Sequence, residues 1–433
     1  MNRIKRRFAG TLAALGLAGA LGACSDLLEV TNPGAIHENT PDDPKMVEEV
    51  LNSPMAEFQR MYTDMAYWGG LLADELVNGH NYFQRMEFDL RRFDRYNSQL
   101  TEVYNPVQRA RALGEDIVVR ALAANGDALL SDVRYARALA YTGYSNVVLG
   151  ELFCHAPVSP NEDKLTSDEI LERSLKYFED AIAVGEAALA KATTDSERAE
   201  AEKVINLARV GGGRAALNLG DMAKAIAFAE AVPEDFVAWN YHSDNASHMY
   251  NFFHAATTGT NHHVGLDPAF LGLNDPRIRY NPVGRTGHNQ STILYTPYQS
   301  SSYSGWTKDG EDKPFERTTH TRLASGLEAR YIVAEAGGMS DAELRDFINE
   351  RRAVGNQPPY TGDDLMGELR EQRRRDFFLD GHRLGDLRRY KKLYGIDMFP
   401  KGQHPNPDWQ TYGDMECYVP HNNERVGNKN YNP

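Results

Sequence analysis

The chain has 433 residues, of which 41% are hydrophobic and 25% are charged, a composition typical of soluble globular proteins rather than disordered or membrane-embedded ones. With 47 Lys and Arg against 61 Asp and Glu, the formal net charge of −14 argues against nucleic acid as a partner, because phosphate binding requires clustered basic residues. The length allows one large domain or two or three smaller ones, and the three cysteines are too few for a disulfide scaffold.

The N-terminus has the pattern of an exported lipoprotein. Basic residues within 3–7 precede a short apolar stretch at 11–21, which is too short for a permanent membrane-spanning helix. The stretch ends in Leu21-Gly22-Ala23-Cys24, which resembles a bacterial lipobox. We therefore predict a lipoprotein signal peptide over 1–23 and lipid attachment at Cys24; an ordinary signal peptide followed by a cysteine is the alternative. Pro-containing turns predict a flexible tether over 24–44.

Export also affects how the other two cysteines are interpreted. Cys154 and Cys417 are the only cysteines left after Cys24, and an exported protein folds where disulfides persist. We predict a disulfide between them, with two unrelated buried thiols as the alternative.

The body of the chain, from 45 onwards, begins as a series of helices. Apolar spacing and capping residues predict helices over 132–153, from Thr166 or Ser167, after Thr194, and over 222–231. Small residues on both sides of the turn at 218–221 are typical of tetratricopeptide hairpins. The Gly211-x-Gly213 pair lies within a helical pattern, which favours close helix packing over a dinucleotide-binding loop.

The helical pattern stops between 232 and 321, where prolines, Asn-Asp turns and aromatic residues predict irregular structure with a short strand near 291–295. Helices are predicted again over 322–336, 340–352, 362–379 and 382–394, and a coil over 396–433. Long loops in a compact domain commonly carry function, so 232–321 is the predicted ligand-binding portion between helical parts at 45–231 and 322–395.

Five segments, in order, resemble motifs of the SusD/RagB family of outer-membrane nutrient-binding lipoproteins. The most extensive is the run LREQRRRDFFLDGHRLGDLRRY at 369–390. The others are LNDPR at 273–277, ASGLEARYIVAEA at 324–336, FINERRAVG at 347–355 and CYVP at 417–420 with its continuation to Asn432. The chain departs from the family pattern at Leu384-Gly385, where an aromatic pair is common. Arg383 and Asp386 are spaced to pair on one helical face.

The resemblance implies a mainly α fold, with tetratricopeptide-like hairpins and a large irregular portion, in a single domain over 45–433. It implies a non-enzymatic protein, anchored by lipid to the outer membrane and facing outward. Such a protein captures an oligosaccharide, or less often a peptide, and passes it to a SusC-like TonB-dependent transporter. No cofactor is implied.

A sugar or peptide site needs flat aromatic faces with polar groups beside them. Trp306 is the foremost candidate because it lies in a Ser/Gly-rich loop, and the candidates with it are Tyr303, Tyr298, Tyr295, Trp68, Tyr67, Tyr82 and Phe83. For Tyr67 and Trp68, burial in the helical body is an equal alternative. Asp74, Glu75 and Arg85 are candidates for polar contacts. None of these residues is carried over from the family.

The sequence lacks the common catalytic motifs of zinc proteases, serine hydrolases and P-loop enzymes. Histidines concentrate at His242, His248, His254, His262 and His263, but their spacing matches no metal motif, so no metal is predicted. Two other functions remain open: a secreted glycan-degrading enzyme, whose paired carboxylates a sequence cannot place, and a structural helical-repeat adaptor.

Overall fold

The computed structural model describes residues 46–159, 161–258, 263–406 and 408–431. The predicted signal peptide, Cys24 and the tether lie outside these ranges, as do His262 and Asn432. Within the described ranges, every helix is too short or too polar to cross a bilayer.

Helices dominate the structure and fall into the two predicted groups. The first group is α1 (Val47–Leu72), α2 (Phe83–Asp89), α3 (Leu100–Asn125), α4 (Val133–Leu152), α5 (Ser167–Lys191), α6 (Asp195–Leu219) and α7 (Met222–Ala229). After the isolated α8 (Phe252–Thr257), the second group is α9 (Gly326–Glu335), α10 (Asp341–Val354), α11 (Leu365–Asp376), α12 (Arg383–Tyr394) and α13 (Asn422–Gly427). The last of these lies within the stretch predicted as coil.

The strands are short and form antiparallel pairs, two of them between distant parts of the chain and two between neighbouring segments. They are β1 (Leu76–Asn78) with β5 (Val264–Leu266), β2 (His155–Pro157) with β3 (Lys164–Thr166), β4 (Val237–Asn240) with β8 (Thr321–Ser325), and β6 (Arg285–Thr286) with β7 (Ile293–Leu294). β7 lies within the strand predicted near 291–295, and β6 is its partner. β1 with β5 connects the irregular portion to the helical body, and β4 with β8 connects it to the segment before α9.

Local capping chemistry explains why several helices begin where the sequence predicted. The hydroxyl groups of Thr166, Thr194 and Ser340 each accept a hydrogen bond from the backbone N–H of a glutamate three residues later. The carboxylate of each glutamate in turn accepts the backbone N–H of the capping residue. Gly220 ends α6 in the left-handed conformation at φ 87°, which lets Asp221 cap α7 at once. This is the predicted tight hairpin.

Close approach of helices explains the glycines in α4 and α6. A Cβ atom on Gly211 would lie 2.4 Å from the Phe178 ring of α5, and one on Gly143 would lie 2.8 Å from the same ring. Helices α4, α5 and α6 therefore pack face to face around Phe178, as antiparallel hairpins of the tetratricopeptide type. The interpretation of Gly211-x-Gly213 as a helix-packing motif is confirmed.

The segment that precedes α9 differs from the prediction. A helix was expected from 322, but residues Thr321–Ser325 form strand β8 and the helix begins at Gly326. The reason is local crowding: a Cβ at Gly326 would lie 2.1 Å from the carbonyl oxygen of Pro233. Pairing with β4 holds the chain extended up to that point.

The family-like run in α11 and α12 forms a buried ionic network. Arg383 pairs with Asp74 of the loop after α1 at 2.6 Å. Asp386 instead accepts from Arg373 and Arg389, each at 2.8 Å. The predicted pairing of Arg383 with Asp386 is therefore wrong, because Asp74 from outside the helix binds Arg383, while Arg373 of α11 and Arg389 of α12 bind Asp386.

The structure contains the predicted disulfide. Cys154 and Cys417 are bonded, with their Cα atoms 5.2 Å apart. Backbone hydrogen bonds flank the link, since the Cys154 N–H donates to the Tyr418 carbonyl at 2.9 Å. The C-terminal stretch is thereby tied to the end of α4.

Candidate functional site

Three of the predicted ligand-binding aromatics lie in the hydrophobic core. Tyr67 is 0% exposed, Trp68 is 2% and Tyr303 is 2%. The Tyr303 hydroxyl donates to the Leu379 carbonyl at 2.6 Å, and its ring packs edge-on to Phe315. Burial of Tyr67 and Trp68 confirms the alternative given for these two rings, whereas Tyr303 was expected to contact the ligand and is instead covered by protein.

Trp306 and Tyr298 both form hydrogen bonds with the loop segment at 276–279. Trp306 is half-buried, and its Nε1 donates to the Pro276 carbonyl at 3.1 Å. Tyr298 is also half-buried, and its N–H donates to the Arg279 carbonyl at 2.9 Å. The indole therefore has a local packing role that its Ser/Gly-rich surroundings did not indicate.

Tyr295 lines a small cavity at the β7 strand. Its ring meets that of Tyr280 edge-on at 6.1 Å. The cavity, of about 210 Å³, is also lined by Pro268 and by Ile293, whose side chain is exposed. This pocket is large enough for one apolar group but not for an oligosaccharide.

Tyr82 and Phe83 are the most exposed of the predicted aromatic residues. Tyr82 is 51% exposed and Phe83 is 60% exposed at the start of α2. Solvent-facing aromatic pairs are unusual for rings without a function, because burying each ring would stabilise the fold. These two rings are the aromatic component of the candidate site.

Polar groups lie beside these rings on α2 and α3. The Arg85 guanidinium lies 5.7 Å from the Tyr82 ring centroid, and its Nε donates to Gln99 Oε1 at 3.2 Å. Its Nη2 is 3.5 Å from the Glu102 carboxylate. We call Tyr82, Phe83, Arg85, Gln99 and Glu102 together the Tyr82 patch; it combines two exposed aromatic rings, adjacent in the chain, with hydrogen-bond donors and acceptors that lie beside the first of them.

An acidic group with an unusual pKa lies near the patch. Burial, together with the negative charge of Glu102, raises the pKa of Asp64 from 3.8 to about 7. Asp64 lines a cavity of about 190 Å³ with Arg60 and Tyr250. At neutral pH the carboxyl group is thus shared between its protonated and ionised forms.

The raised pKa of Asp64 predicts that the free energy of unfolding depends on pH. Folding favours the protonated form of Asp64, so its contribution to the free energy of unfolding falls as pH rises from about 4 to about 7. Asp64→Asn removes that loss, and we expect the variant to exceed wild type by about 2 kcal/mol at pH 8 and not at pH 4. Urea unfolding at both pH values measures the difference. The exposed Asp116→Asn on α3 is the control, and an equal gain in both variants would contradict the account.

The two acidic residues predicted to bind ligand are buried and used within the fold. Asp74 pairs with Arg383, as described above. Glu75 Oε1 accepts the Leu379 N–H at 2.8 Å, and burial raises the pKa of its carboxyl group. Of the three predicted polar contacts, Arg85 alone reaches the Tyr82 patch.

The histidines between 242 and 263 that the structure describes have separate surroundings, and His262 lies outside the described residues. His242 lies beside Asn240, and His254 Nδ1 lies 2.9 Å from the Phe315 carbonyl oxygen. A different cluster forms instead, in which ring nitrogens of His80, His263 and His288 all lie within 4.8 Å of one another. Its members are far apart in the chain, so no spacing in the sequence pointed to it.

The fold is that of solved SusD structures. A SusD-like carbohydrate binding protein from Bacteroides vulgatus is 16% identical, aligns with 89% of this chain and 96% of its own, and gives a TM-score of 0.63. A SusD superfamily protein from Bacteroides thetaiotaomicron is 13% identical, with 89% and 99% covered and a TM-score of 0.65. A SusD/RagB family protein from the same species is 14% identical, aligns with 89% of this chain and 94% of its own, and gives a TM-score of 0.62. No protein-family model and no curated protein matches the chain.

These likenesses establish the architecture that the sequence resemblance implied. The chain has a SusD-like fold, mainly helical and built on tetratricopeptide-like hairpins, over nine-tenths of its length. At this level of identity the likeness shows the fold and leaves the ligand to the surface chemistry of this chain.

Proposed function

We propose that this protein is a nutrient-binding lipoprotein that captures an oligosaccharide, or a peptide, at the Tyr82 patch and delivers it to a SusC-like TonB-dependent transporter in the outer membrane. It acts without catalysis and without a cofactor. Cys24 carries the lipid anchor and residues 24–44 form the tether. The body faces outward from the cell.

The observation that carries the proposal is the exposed aromatic pair next to Arg85, Gln99 and Glu102. Sugar rings have apolar faces that stack on aromatic side chains, and their hydroxyl groups accept and donate hydrogen bonds to charged and amide groups. The patch supplies both kinds of contact on a surface held by α2 and α3. The carbohydrate-binding name of one structural neighbour agrees with this choice of ligand.

A binding experiment tests the site. The chain from Ser25 onward, which omits Cys24, is screened against glycans and peptides, and the best ligand is titrated by calorimetry. Loss of both rings in Tyr82→Ala/Phe83→Ala removes more than ~1.4 kcal/mol of stacking, so we expect affinity to fall at least ~tenfold.

The matched control is Tyr241→Ala, which removes another exposed tyrosine, 44% exposed and lying against His320. We expect it to bind as wild type does. Equal affinity of the double variant and wild type would place the ligand elsewhere.

The anchor and the transporter need a second experiment. We expect labelled fatty acid to be incorporated into the full chain and not into Cys24→Ser, and we expect mild detergent extracts to contain the transporter bound to the wild-type chain. Absence of label from the wild-type chain would contradict the anchor. Repeated isolation without any transporter would contradict the partnership.

A further inference from the structure

Three histidines from distant parts of the chain meet at one end of a small group of strands. β1 and β5 are antiparallel, with Asn78 opposite Val264, so the end of β1 and the start of β5 lie side by side. His80 follows the end of β1, and His263 directly precedes the start of β5. His288 lies in the turn between β6 and β7. The strand topology therefore brings the three imidazoles together.

Backbone contacts hold the three segments in this arrangement. The Gly79 N–H donates to the His263 carbonyl at 2.8 Å, and the Asn289 N–H donates to the Gly79 carbonyl at 2.9 Å. The approach is so close that a Cβ on Gly287 would lie 2.9 Å from the Gly79 backbone. The imidazoles are thus positioned by main chain rather than by flexible side chains.

The chemical state of the cluster suits a ligand that accepts electron pairs. His288 Nδ1 is buried and has no hydrogen-bond partner within the described ranges of the chain. A buried nitrogen without a partner is unfavourable, and coordination would satisfy it.

We propose that His80, His263 and His288 bind a divalent transition-metal ion of the zinc class. In a tetrahedral site with bonds of ~2.0–2.1 Å, ligand nitrogens lie about 3.4 Å apart, so rings now within 4.8 Å need only small side-chain rotations. Imidazole favours Zn²⁺, Ni²⁺ and Cu²⁺, whereas Ca²⁺ and Mg²⁺ favour oxygen ligands. His263 and His288 are half-buried, which leaves the cluster open to solvent for a fourth ligand. This inference stands apart from the proposed function, since it requires no glycan.

Metal binding must alter the contact between His80 and Tyr82. The Tyr82 N–H donates to His80 Nδ1 at 3.0 Å, and the two ring centroids are 4.1 Å apart. If Nδ1 coordinates, its lone pair is no longer available to the amide; if Nε2 coordinates, the ring proton moves to Nδ1 and opposes the amide proton. This hydrogen bond is lost in either case, so the ion changes the environment of an aromatic residue in the Tyr82 patch.

The experiment uses the full chain, purified without a histidine tag and treated with chelator. Titration with Co²⁺ is expected to produce the visible absorption of a tetrahedral nitrogen site at one ion per chain, and Zn²⁺ is expected to displace it. His263→Ala and His288→Ala are each expected to weaken binding about 100-fold. The exposed His248→Ala is the matched control and should bind as wild type does. In ¹⁵N-tyrosine-labelled wild-type protein, the Tyr82 amide signal, assigned with Tyr82→Phe, is expected to shift on adding Zn²⁺ and not Mg²⁺.

Absence of the cobalt spectrum from the wild-type chain would overturn the proposal, as would His263→Ala and His288→Ala variants that bind the ion as tightly as wild type does. An unmoved Tyr82 signal at saturating Zn²⁺ would also overturn it. Because this signal is measured in wild-type protein, the proposal remains testable even where an alanine variant fails to fold. If His288→Ala fails to fold, His288→Gln takes its place in the metal titration. Glycan binding by the metal-free chain is measured separately, so a failed metal site leaves the test of the proposed function intact.

Discussion

Replacing Asp376 with alanine is expected to lower the free energy of unfolding by about 3–5 kcal/mol. Asp376 is fully buried and lies 3.0 Å from Arg277 Nη1 and 2.8 Å from Arg351 Nη2, and it accepts the Tyr331 hydroxyl at 2.7 Å. These partners hold its pKa well below the usual range. Alanine would leave the buried Arg277 with one carboxylate, that of Asp275, which it must share with Arg375. A buried positive charge that loses part of its counter-charge costs more than the loss of one surface contact.

Urea unfolding of Asp376→Ala against wild type measures this effect. The control is Glu179→Ala, because Glu179 pairs with Lys224 at 3.3 Å on the surface, where such pairs contribute at most about 1 kcal/mol. A loss in Asp376→Ala no larger than that in Glu179→Ala would show that the buried cluster does not stabilise the fold.

Removal of the disulfide, in Cys154→Ser/Cys417→Ser, is expected to cost about 2–5 kcal/mol. The bond joins residues 263 positions apart, so it restricts the unfolded chain over most of the described body. It also holds the Phe153–Tyr418 bridge, by which the C-terminal stretch is attached to α4. The double variant should therefore unfold at lower denaturant concentration and lose the C-terminal contacts first.

Unfolding with and without reductant measures this contribution. We expect reductant to lower the midpoint of wild type to that of the double variant and to leave the double variant unchanged. The prediction would be contradicted if the disulfide of the wild-type chain were fully reduced and the denaturant midpoint of unfolding stayed unchanged.

The parts of the fold that local chemistry determines were predictable from the sequence. Thr166, Thr194 and Ser340 cap helices through residues three positions away, and Gly220 ends a helix by its own backbone freedom. The overall fold was reached through the resemblance of short segments, above all 369–390, and the structural neighbours confirm it.

Apart from the disulfide, ion pairs and strands that depend on distant partners were not predictable. Arg383 pairs with Asp74, 309 positions away, and not with the helix neighbour Asp386. β8 forms where a helix was expected, because β4 pairs with it and Gly326 meets Pro233. Local spacing carries no information about such contacts.

The candidate site was predictable only in part, for the same reason. Tyr82, Phe83 and Arg85 were among the candidates, but the sequence ranked Trp306 first because it could not show the hydrogen bond to Pro276. Likewise, His80 and His288 carried no signal until strand pairing placed them beside His263.

The central claim is that this chain holds a ligand by stacking and leaves it chemically unchanged. The most direct measurement is equilibrium binding of the best glycan or peptide from the screen, followed by mass spectrometry of the recovered ligand. The account predicts saturable binding that Tyr82→Ala/Phe83→Ala weakens at least ~tenfold, with the ligand recovered intact. Cleaved ligand, or binding unaffected by loss of both rings, would contradict it.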